Sequence, residues 1–459
     1  MQLSMHDHTS SRPAAPCTAR GHRAQAFLRV AAAAGAAVTL LLGASGCKAT
    51  PGGAPAFGAP HAGPTPLHAE VPAVAANDQL SHGESRMLSS HPAGSTADAD
   101  GEITLSSPAM VGPLTGNPHP MRLDAGELGA LYVTGAASGL GMLQDHEGPG
   151  DHGSQTDTSN AQVIVQKPEG VFQFYAQAGA YSLPALGTTY VRADDAADAF
   201  YGTVPAAFVK FAPSESFSVM AGKLPTLFGA ESTFTFENMN VERGLLWNQE
   251  NAINRGVQAN YAHGPAAFSV SLNDGFYSDE YTWLTGAATY MLDGGDSLCF
   301  YGGGNFDEDS TSTLATPLAQ NNSRIAGLIY SRTDGPWTIS PYVQYTRVPE
   351  NSSIGIADDA STRGAAMLAR YAFDERFSLA ARIECIDSTG GSTSPSLLYG
   401  PGSSAWSMTL TPTWQFERFF VRPEVSYVRA ADTTDGSALG PGLTADSQVR
   451  ALVEVGVLF

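Results

Sequence analysis

Charged residues are scarce in this chain of 459 residues, and basic residues are scarcer than acidic ones. Only 15% of the residues are charged, and 24 Lys and Arg stand against 44 Asp and Glu, for a formal net charge of -20 at pH 7. Proteins that bind nucleic acid neutralise its phosphates with clustered Lys and Arg. The composition therefore argues against a nucleic-acid partner. The 49 glycines favour many short strands joined by turns over a helical bundle.

Cysteine and histidine are too sparse for the common metal, cofactor or catalytic sites. The cysteines are Cys17, Cys47, Cys299 and Cys385. Their spacing indicates neither a disulfide framework nor a CxxC metal site, and no HExxH, P-loop or dinucleotide motif occurs. Beyond residue 120 the histidines are His146, His152 and His263. They offer few general bases for a Ser-His-Asp arrangement, so we expect neither an enzyme nor a cofactor.

No apolar run is long enough to predict a retained membrane helix. The run from Val30 to Leu42 follows several Arg residues, which is the order of a secretory signal, and we predict a signal peptide over residues 1–47. Small residues precede Cys47 and resemble a lipoprotein processing box, although Ala44 replaces the usual Leu. Lipidation of Cys47 and ordinary cleavage after small residues therefore both stay open.

Residues 48–120 are dominated by Ala, Pro, Gly, His and Ser and have no sustained period of 2 or 3.6. Such a segment cannot bury enough apolar surface to fold alone, and we predict a disordered leader. Its irregularly spaced histidines favour a solvated linker over a metal site.

Beyond the leader, apolar and polar residues alternate over segments of about ten residues, the length of a tilted membrane strand. The last segment is the clearest: one face carries Val449, Ala451, Val453, Val455, Val457 and Phe459, and the other carries Arg450, Glu454 and Gly456. This pattern predicts a lipid-facing side and a polar lumen. A soluble β-sandwich tethered through Cys47 also alternates, so one segment alone does not decide the fold.

The connections between these segments alternate strictly between short and long. Short turns are predicted at 167–170, 213–216, 263–265, 293–296, 334–336, 374–376 and 417–418, and long loops near 139–160, 182–199, 225–254, 274–281, 305–322, 348–361, 387–403 and 430–446. Bacterial outer-membrane barrels have tight periplasmic turns and long external loops. We therefore predict an all-β, transmembrane, antiparallel up-and-down barrel of about sixteen strands over residues 121–459, in the bacterial outer membrane with the leader in the periplasm.

Several stretches resemble a known family. GKLPTLFGAE from Gly222 to Glu231, then ENMNVERGLLW and NRGVQANYAHGP, look like the outer-membrane β-barrel porins that include OmpL-like proteins. The terminal VEVGVLF, with Phe459, is similar to the assembly signal of outer-membrane barrels. The resemblance implies a porin whose final strand is recognised by the barrel-assembly machinery, in contact with membrane lipid and lipopolysaccharide, and with oligomerisation open.

About sixteen strands enclose a ring wide enough for an aqueous channel. The long loop from Pro225 to Asn254 keeps aliphatic and aromatic residues throughout, and we expect it to fold inward and narrow the pore. The charged side chains that it would present are Glu231, Glu237, Glu242, Arg243 and Glu250. The alternative is an external loop that packs on its neighbours. We expect passive diffusion of small hydrophilic solutes or ions; a plugged barrel with a structural or adhesive role is the rival function.

Strand parity also predicts charged residues on the lumen wall. They are Arg382, Glu384, Arg422, Glu424, Arg450 and Glu454. Facing charges of opposite sign would create a transverse field that orients polar solutes. Alternatively, these residues pair with one another to satisfy a polar interior. The sequence leaves charge selectivity open.

Overall fold

The computed structural model describes residues 96–97, 103–104, 112–117 and 119–459. The predicted signal peptide, including Cys47, lies outside these residues, as does most of the predicted leader. Within the described part of the chain, no helix combines the length and apolarity needed to cross a membrane.

The described residues form mainly antiparallel strands. They are β1 (Thr96–Ala97), β2 (Ile103–Thr104), β3 (Met121–Asp124), β4 (Ala130–Gln144), β5 (Ser154–Lys167), β6 (Phe172–Tyr181), β7 (Ala206–Ser214), β8 (Phe217–Pro225), β9 (Ile253–His263), β10 (Ala266–Asn273), β11 (Trp283–Met291), β12 (Ser297–Asn305), β13 (Arg324–Asp334), β14 (Trp337–Val348), β15 (Ala360–Ala372), β16 (Phe377–Ser388), β17 (Ser404–Phe416), β18 (Phe419–Ala431) and β19 (Ser447–Leu458). Short α-helices span Ala193–Ala199 and Leu318–Asn321, and 3-10 turns span Gly126–Leu128, Thr235–Glu237, Trp247–Gln249 and Ser352–Ile354.

Strands β4 to β19 form a closed antiparallel barrel of sixteen strands in chain order, as predicted. The ring closes where β19 pairs with β4, from Arg450 opposite Gln144 to Leu458 opposite Ala136. Phe459 continues this seam, because its N–H donates to the carbonyl of Gly135 at 3.0 Å and its carbonyl accepts from the Gly135 N–H at 2.7 Å. Closure leaves the barrel no free edge strand.

The alternation in sequence becomes two chemically different faces. On β19, Val453 and Val455 are 40% and 52% exposed on the outside, whereas Arg450 and Glu454 are buried on the inside. Successive strand residues point to opposite faces, so the outer row of β19 is apolar and its inner row carries the charged side chains.

The short and long connections alternate as the sequence predicts, although the first long loop spans 145–153 and not 139–160. The short turns, at 168–171, 215–216, 264–265, 292–296, 335–336, 373–376 and 417–418, all lie at one end of the barrel. The long loops, at 145–153, 182–205, 226–252, 274–282, 306–323, 349–359, 389–403 and 432–446, lie at the other. The two ends are called the short-turn side and the long-loop side below.

Aromatic side chains form a continuous band near the short-turn side. Trp337 contacts Tyr371 with ring centroids 4.8 Å apart, Phe373 and Phe377 are 4.9 Å apart, and Phe377 stacks on Trp414 at 4.7 Å. Tyr and Trp rings favour the boundary between lipid and water. The band is typical of a membrane-interface girdle.

Candidate pore constriction

Residues 226–252, between β8 and β9, form a loop that lies inside the barrel; we call it the inward loop. Its residues from 227 to 252 are buried except for Trp247 and Asn248, which are partly exposed. The burial comes from contacts with lumen-facing side chains on several strands, described below. A loop that faced the solvent would instead be exposed along most of its length.

The inward loop is shaped by its own side chains. Asn238 accepts a hydrogen bond from the Ser232 N–H at 2.7 Å and donates to the carbonyls of Ser232 and Phe234, both at 2.8 Å. Gly229 has a φ of +71°, and a Cβ there would meet the carboxylate of Glu250. Glycine therefore provides both the turn and the room for that carboxylate.

Arg382 of β16 connects the wall to the inward loop. Its guanidinium donates to Glu231 at 2.5 Å and to the carbonyl of Glu242 at 2.7 Å, and its Nε lies 3.2 Å from Glu384. The Arg and both carboxylates are fully buried. One wall cation thus joins a wall carboxylate to a loop carboxylate.

Two wall carboxylates accept hydrogen bonds from the backbone of the inward loop. Glu384 accepts from the N–H groups of Leu245 and Leu246 at 3.0 and 3.3 Å. Glu424 of β18 accepts from those of Val241 and Glu242 at 2.6 and 2.8 Å. Because charge-assisted hydrogen bonds are among the stronger ones, these contacts fasten residues 241–246 to the wall.

Arg422 and Glu454 hold the preceding part of the loop. Arg422 lies 3.4 Å from Glu454 and donates to the carbonyls of Thr235, Asn238 and Met239 at 2.8 to 3.0 Å. Glu454 accepts from the Thr235 hydroxyl at 2.6 Å.

Arg450 joins the inward loop to the loop over residues 182–205. It donates to Glu242 at 2.9 Å and to the carbonyl of Ala185 at 2.6 Å. The two loops also pair through their backbones, since the Arg243 N–H donates to Pro184 and the Leu186 N–H donates to Arg243. The composition of residues 182–205 gave no signal for this contact.

Three remaining loop charges have different surroundings. Glu237 is buried and accepts from the Phe234 N–H at 3.4 Å. The side chains of Glu250 and Arg243 are buried without a hydrogen-bond partner among the described residues. Burial, and the nearby charges of Glu231 and Glu384, raise the pKa of Glu250 well above its usual value. Burial lowers the pKa of Arg243 to about 10.

The inward loop also contacts the other side of the barrel. Phe228 packs on Tyr301 of β12 with ring centroids 5.7 Å apart, and Gln344 of β14 donates to the Leu246 carbonyl at 3.0 Å. Asn160 of β5 donates to the Thr235 hydroxyl at 2.6 Å. The loop therefore crosses the lumen from wall to wall.

A second segment enters the lumen from the short-turn side. The backbone of Thr115 exchanges two hydrogen bonds of 2.9 Å with the amide of Gln415, and Leu114 is buried in an apolar cluster with Phe420. A Cβ at Gly112 would lie 2.3 Å from the carbonyl oxygen of Asn238 in the inward loop. Residues 112–117, part of the predicted leader, thus occupy the lumen below the inward loop.

The structure brings the predicted lumen and loop charges into one buried network of ion pairs and backbone contacts. Among the described residues there is no group of three or more His, Cys, Asp or Glu arranged to hold a metal ion. The arrangement fastens the inward loop to the wall and places fixed charges of both signs inside the lumen.

The chain is similar to known outer-membrane proteins. A family model described as "Putative beta-barrel porin-2, OmpL-like" matches residues 133–459. Outer-membrane expressed OmpT of Vibrio cholerae is 12% identical, with 74% of this chain and 100% of that chain covered at a TM-score of 0.49. The outer membrane channel DcaP of Acinetobacter baumannii is 12% identical, with 71% and 96% covered at 0.46. OccK1 (OpdK) of Pseudomonas aeruginosa is 10% identical, with 72% and 99% covered at 0.40. No curated protein matches the chain.

Proposed function

Because this chain belongs to the β-barrel porin-2, OmpL-like family, a family of outer-membrane porins, we propose that it lets small hydrophilic solutes or ions diffuse passively across the bacterial outer membrane. The observation that supports this proposal most directly is the inward loop, which crosses the lumen of a sixteen-strand barrel and contacts wall charges of both signs there. Membrane lipid surrounds the apolar outer rows. The route runs along the lumen past Arg382, Arg422 and Arg450 and the carboxylates that they contact.

The proposed constriction residues are Glu231, Glu237, Glu242, Arg243 and Glu250 of the loop, with Arg382, Glu384, Arg422, Glu424, Arg450 and Glu454 of the wall. Their burial implies a passage far narrower than an empty ring of this strand number. We therefore expect low conductance, and passage of small solutes only.

Single-channel conductance in planar bilayers tests the proposal. Deleting residues 232–246 removes the part of the loop fastened to Glu384 and Glu424, so conductance should rise severalfold. A matched control deletes residues 310–314, a mostly exposed loop tip, and should leave conductance unchanged. Equal conductance of the full chain and the 232–246 deletion would contradict a constriction at this loop.

One observation favours a plugged barrel as the second candidate. Lumen-facing side chains on strands that carry no member of the charged network, such as Gln258 of β9 and Ser269 and Ser271 of β10, are buried as well. Liposome swelling with small sugars separates the two functions. Flux only after the 232–246 deletion would identify a plug, whereas flux through the full chain would identify a channel.

For the segments outside the described residues, we propose removal of residues 1–47 as an export signal, with Cys47 either lipidated or lost by ordinary cleavage. Intact mass of the mature chain distinguishes these outcomes, because an acyl increment on Cys47 requires a lipid. An even strand number puts both ends of the barrel on the short-turn side, which supports a leader in the periplasm. The seam at Phe459 supports recognition of β19 by the barrel-assembly machinery, and the long loops would face lipopolysaccharide.

A further inference from the structure

Arg243 differs from the other arginines of the lumen. Arg382, Arg422 and Arg450 each lie within 3.4 Å of a carboxylate. Arg243 is equally buried, yet all three guanidinium nitrogens lack a hydrogen-bond partner among the described residues. The backbone N–H and carbonyl of Arg243 both form hydrogen bonds with residues 184–186. The side chain therefore begins where the inward loop contacts the loop over residues 182–205.

An unpartnered buried guanidinium is unfavourable. A buried charge without a partner destabilises the folded state far more than an exposed one, and buried polar groups without partners are uncommon in folded proteins. Unfavourable side chains of this kind concentrate at binding sites, where a ligand supplies the missing contact. A guanidinium has five donors and no acceptor, so the ligand must bring acceptor oxygens.

Trp247 lies against Arg243 and is the partly exposed member of this pair. The guanidinium carbon lies 5.1 Å from the ring of Trp247. Within residues 227–252, Trp247 and Asn248 are the two that are not fully buried. A solute in the lumen can therefore contact the indole, and the buried guanidinium of Arg243 lies next to that ring.

Trp247 and Tyr277 both pack against the apolar cluster that includes Tyr201. Tyr277 is partly buried, packs against Tyr201 at 5.3 Å between centroids, and has Lys223 5.4 Å and Arg255 4.0 Å from its ring. Arg255 is paired with the carboxylates of Asp274 and Asp279. Lys223 instead donates to the uncharged carbonyls of Tyr201 and Val204 at 3.1 and 2.9 Å, so its positive charge is left uncompensated there.

We propose that Arg243 and Trp247 form a binding subsite for a small organic anion, with its carboxylate on Arg243 and its ring on Trp247. The planar guanidinium matches the two oxygens of a carboxylate, and the aromatic faces take up a flat apolar body. This inference rests on the proposed function, because it makes the lumen a route with a preference for anions bearing a ring. Three carboxylates act on Arg243 from a distance, but each is paired with another arginine: Glu231 with Arg382, Glu242 with Arg450 and Glu454 with Arg422.

Three isosteric probes test charge and ring separately: 3-phenylpropionate, 3-phenylpropanol and 3-phenylpropylammonium. Tryptophan fluorescence of the refolded full chain in detergent should report binding of the anion alone, and Trp247→Phe should remove the signal. Arg243→Met should weaken 3-phenylpropionate binding by about tenfold or more, the loss of one charge-assisted contact. The control Arg347→Gln removes a half-exposed arginine paired with Asp359, and should bind as the unaltered chain does.

A purely structural role for Arg243 predicts the opposite pattern. If Arg243 only stabilised the loop, Arg243→Met would unfold at a lower urea concentration and would bind the probes as the unaltered chain does. Either of these two results overturns the subsite. If it is a subsite, Arg243→Met is at least as stable as the unaltered chain. Equal binding of the three probes also overturns it. The binding assay needs no conducting lumen, so binding without solute flux would reject the diffusion channel while keeping the subsite.

Discussion

Replacing Arg382 by Met tests the buried charge network most directly. The substitution keeps most of the side-chain volume but removes the cation between Glu231 and Glu384. Two carboxylates would then be left in the lumen without their shared partner, and the contact to the Glu242 carbonyl would be lost. Breaking a buried ion pair by removing one partner typically costs about 3–5 kcal/mol. We expect a loss of that size in the free energy of unfolding.

The assay is reversible urea unfolding of the barrel in lipid vesicles, followed by tryptophan fluorescence. The matched control is Arg429→Met, on β18, because Arg429 is 55% exposed and lies 3.7 Å from Asp446; an exposed pair contributes at most about 1 kcal/mol. Adding Glu231→Gln to Arg382→Met should recover part of the loss, with a coupling energy of about 1–3 kcal/mol. If Arg382→Met costs no more than Arg429→Met, the network does not fasten the loop.

Three further results are expected. Gln415→Ala removes both hydrogen bonds to Thr115, each worth about 1 kcal/mol. Limited proteolysis should therefore cut residues 112–117 faster in the variant. An unchanged cleavage rate would argue against the position of these residues inside the lumen. Val343→Lys, 51% exposed in the middle of β14, should cost about 2–4 kcal/mol in urea unfolding, against about 0–1 kcal/mol for Phe373→Lys near a short turn; equal costs would contradict the assigned lipid face. Glu250 binds its proton more tightly when folded, so its contribution to stability is full below the ordinary pKa of 4.5 and is lost as the pH rises toward the raised value. Glu250→Gln should therefore reduce the loss of stability as the pH rises above about 5, and an unchanged slope would contradict a raised pKa for Glu250.

The sequence predicts the barrel well because lipid and lumen impose opposite demands on neighbouring residues. Alternation on β19 and the turn at 417–418 suffice to assign which side chains face inward. The first long loop was predicted too long, over 139–160. Its first flank, GLGML, is interrupted by glycines and its second, SQTDTSN, is polar, yet residues 139–143 pair with 154–158 beyond a register shift between Ser138 and Gly139. Cross-strand pairing overrides local composition there.

The charged network was less predictable. Parity on β16, β18 and β19 places their charged residues on the inner face, but the partner of each depends on the path of the inward loop. Glu231, which meets Arg382, lies next to the turn that Asn238 forms by bonding Ser232 and Phe234. The insertion of residues 112–117 has no periodic signal either, since it rests on Leu114 and on backbone bonds to Gln415. Backbone hydrogen bonds do not depend on side-chain identity, so the pattern of side chains in the sequence does not reveal them.

The partners of the inward loop lie far along the chain. Leu245 is 139 residues from Glu384, Val241 is 183 from Glu424, and Thr235 is 219 from Glu454. The loop is synthesised long before β16, β18 and β19, so it cannot settle until the last third of the polypeptide has joined the ring. In a partly assembled ring, the N–H groups and carboxylates of this loop would still lack their hydrogen-bond partners on the wall. The inward loop therefore reaches its final position only when the barrel is complete.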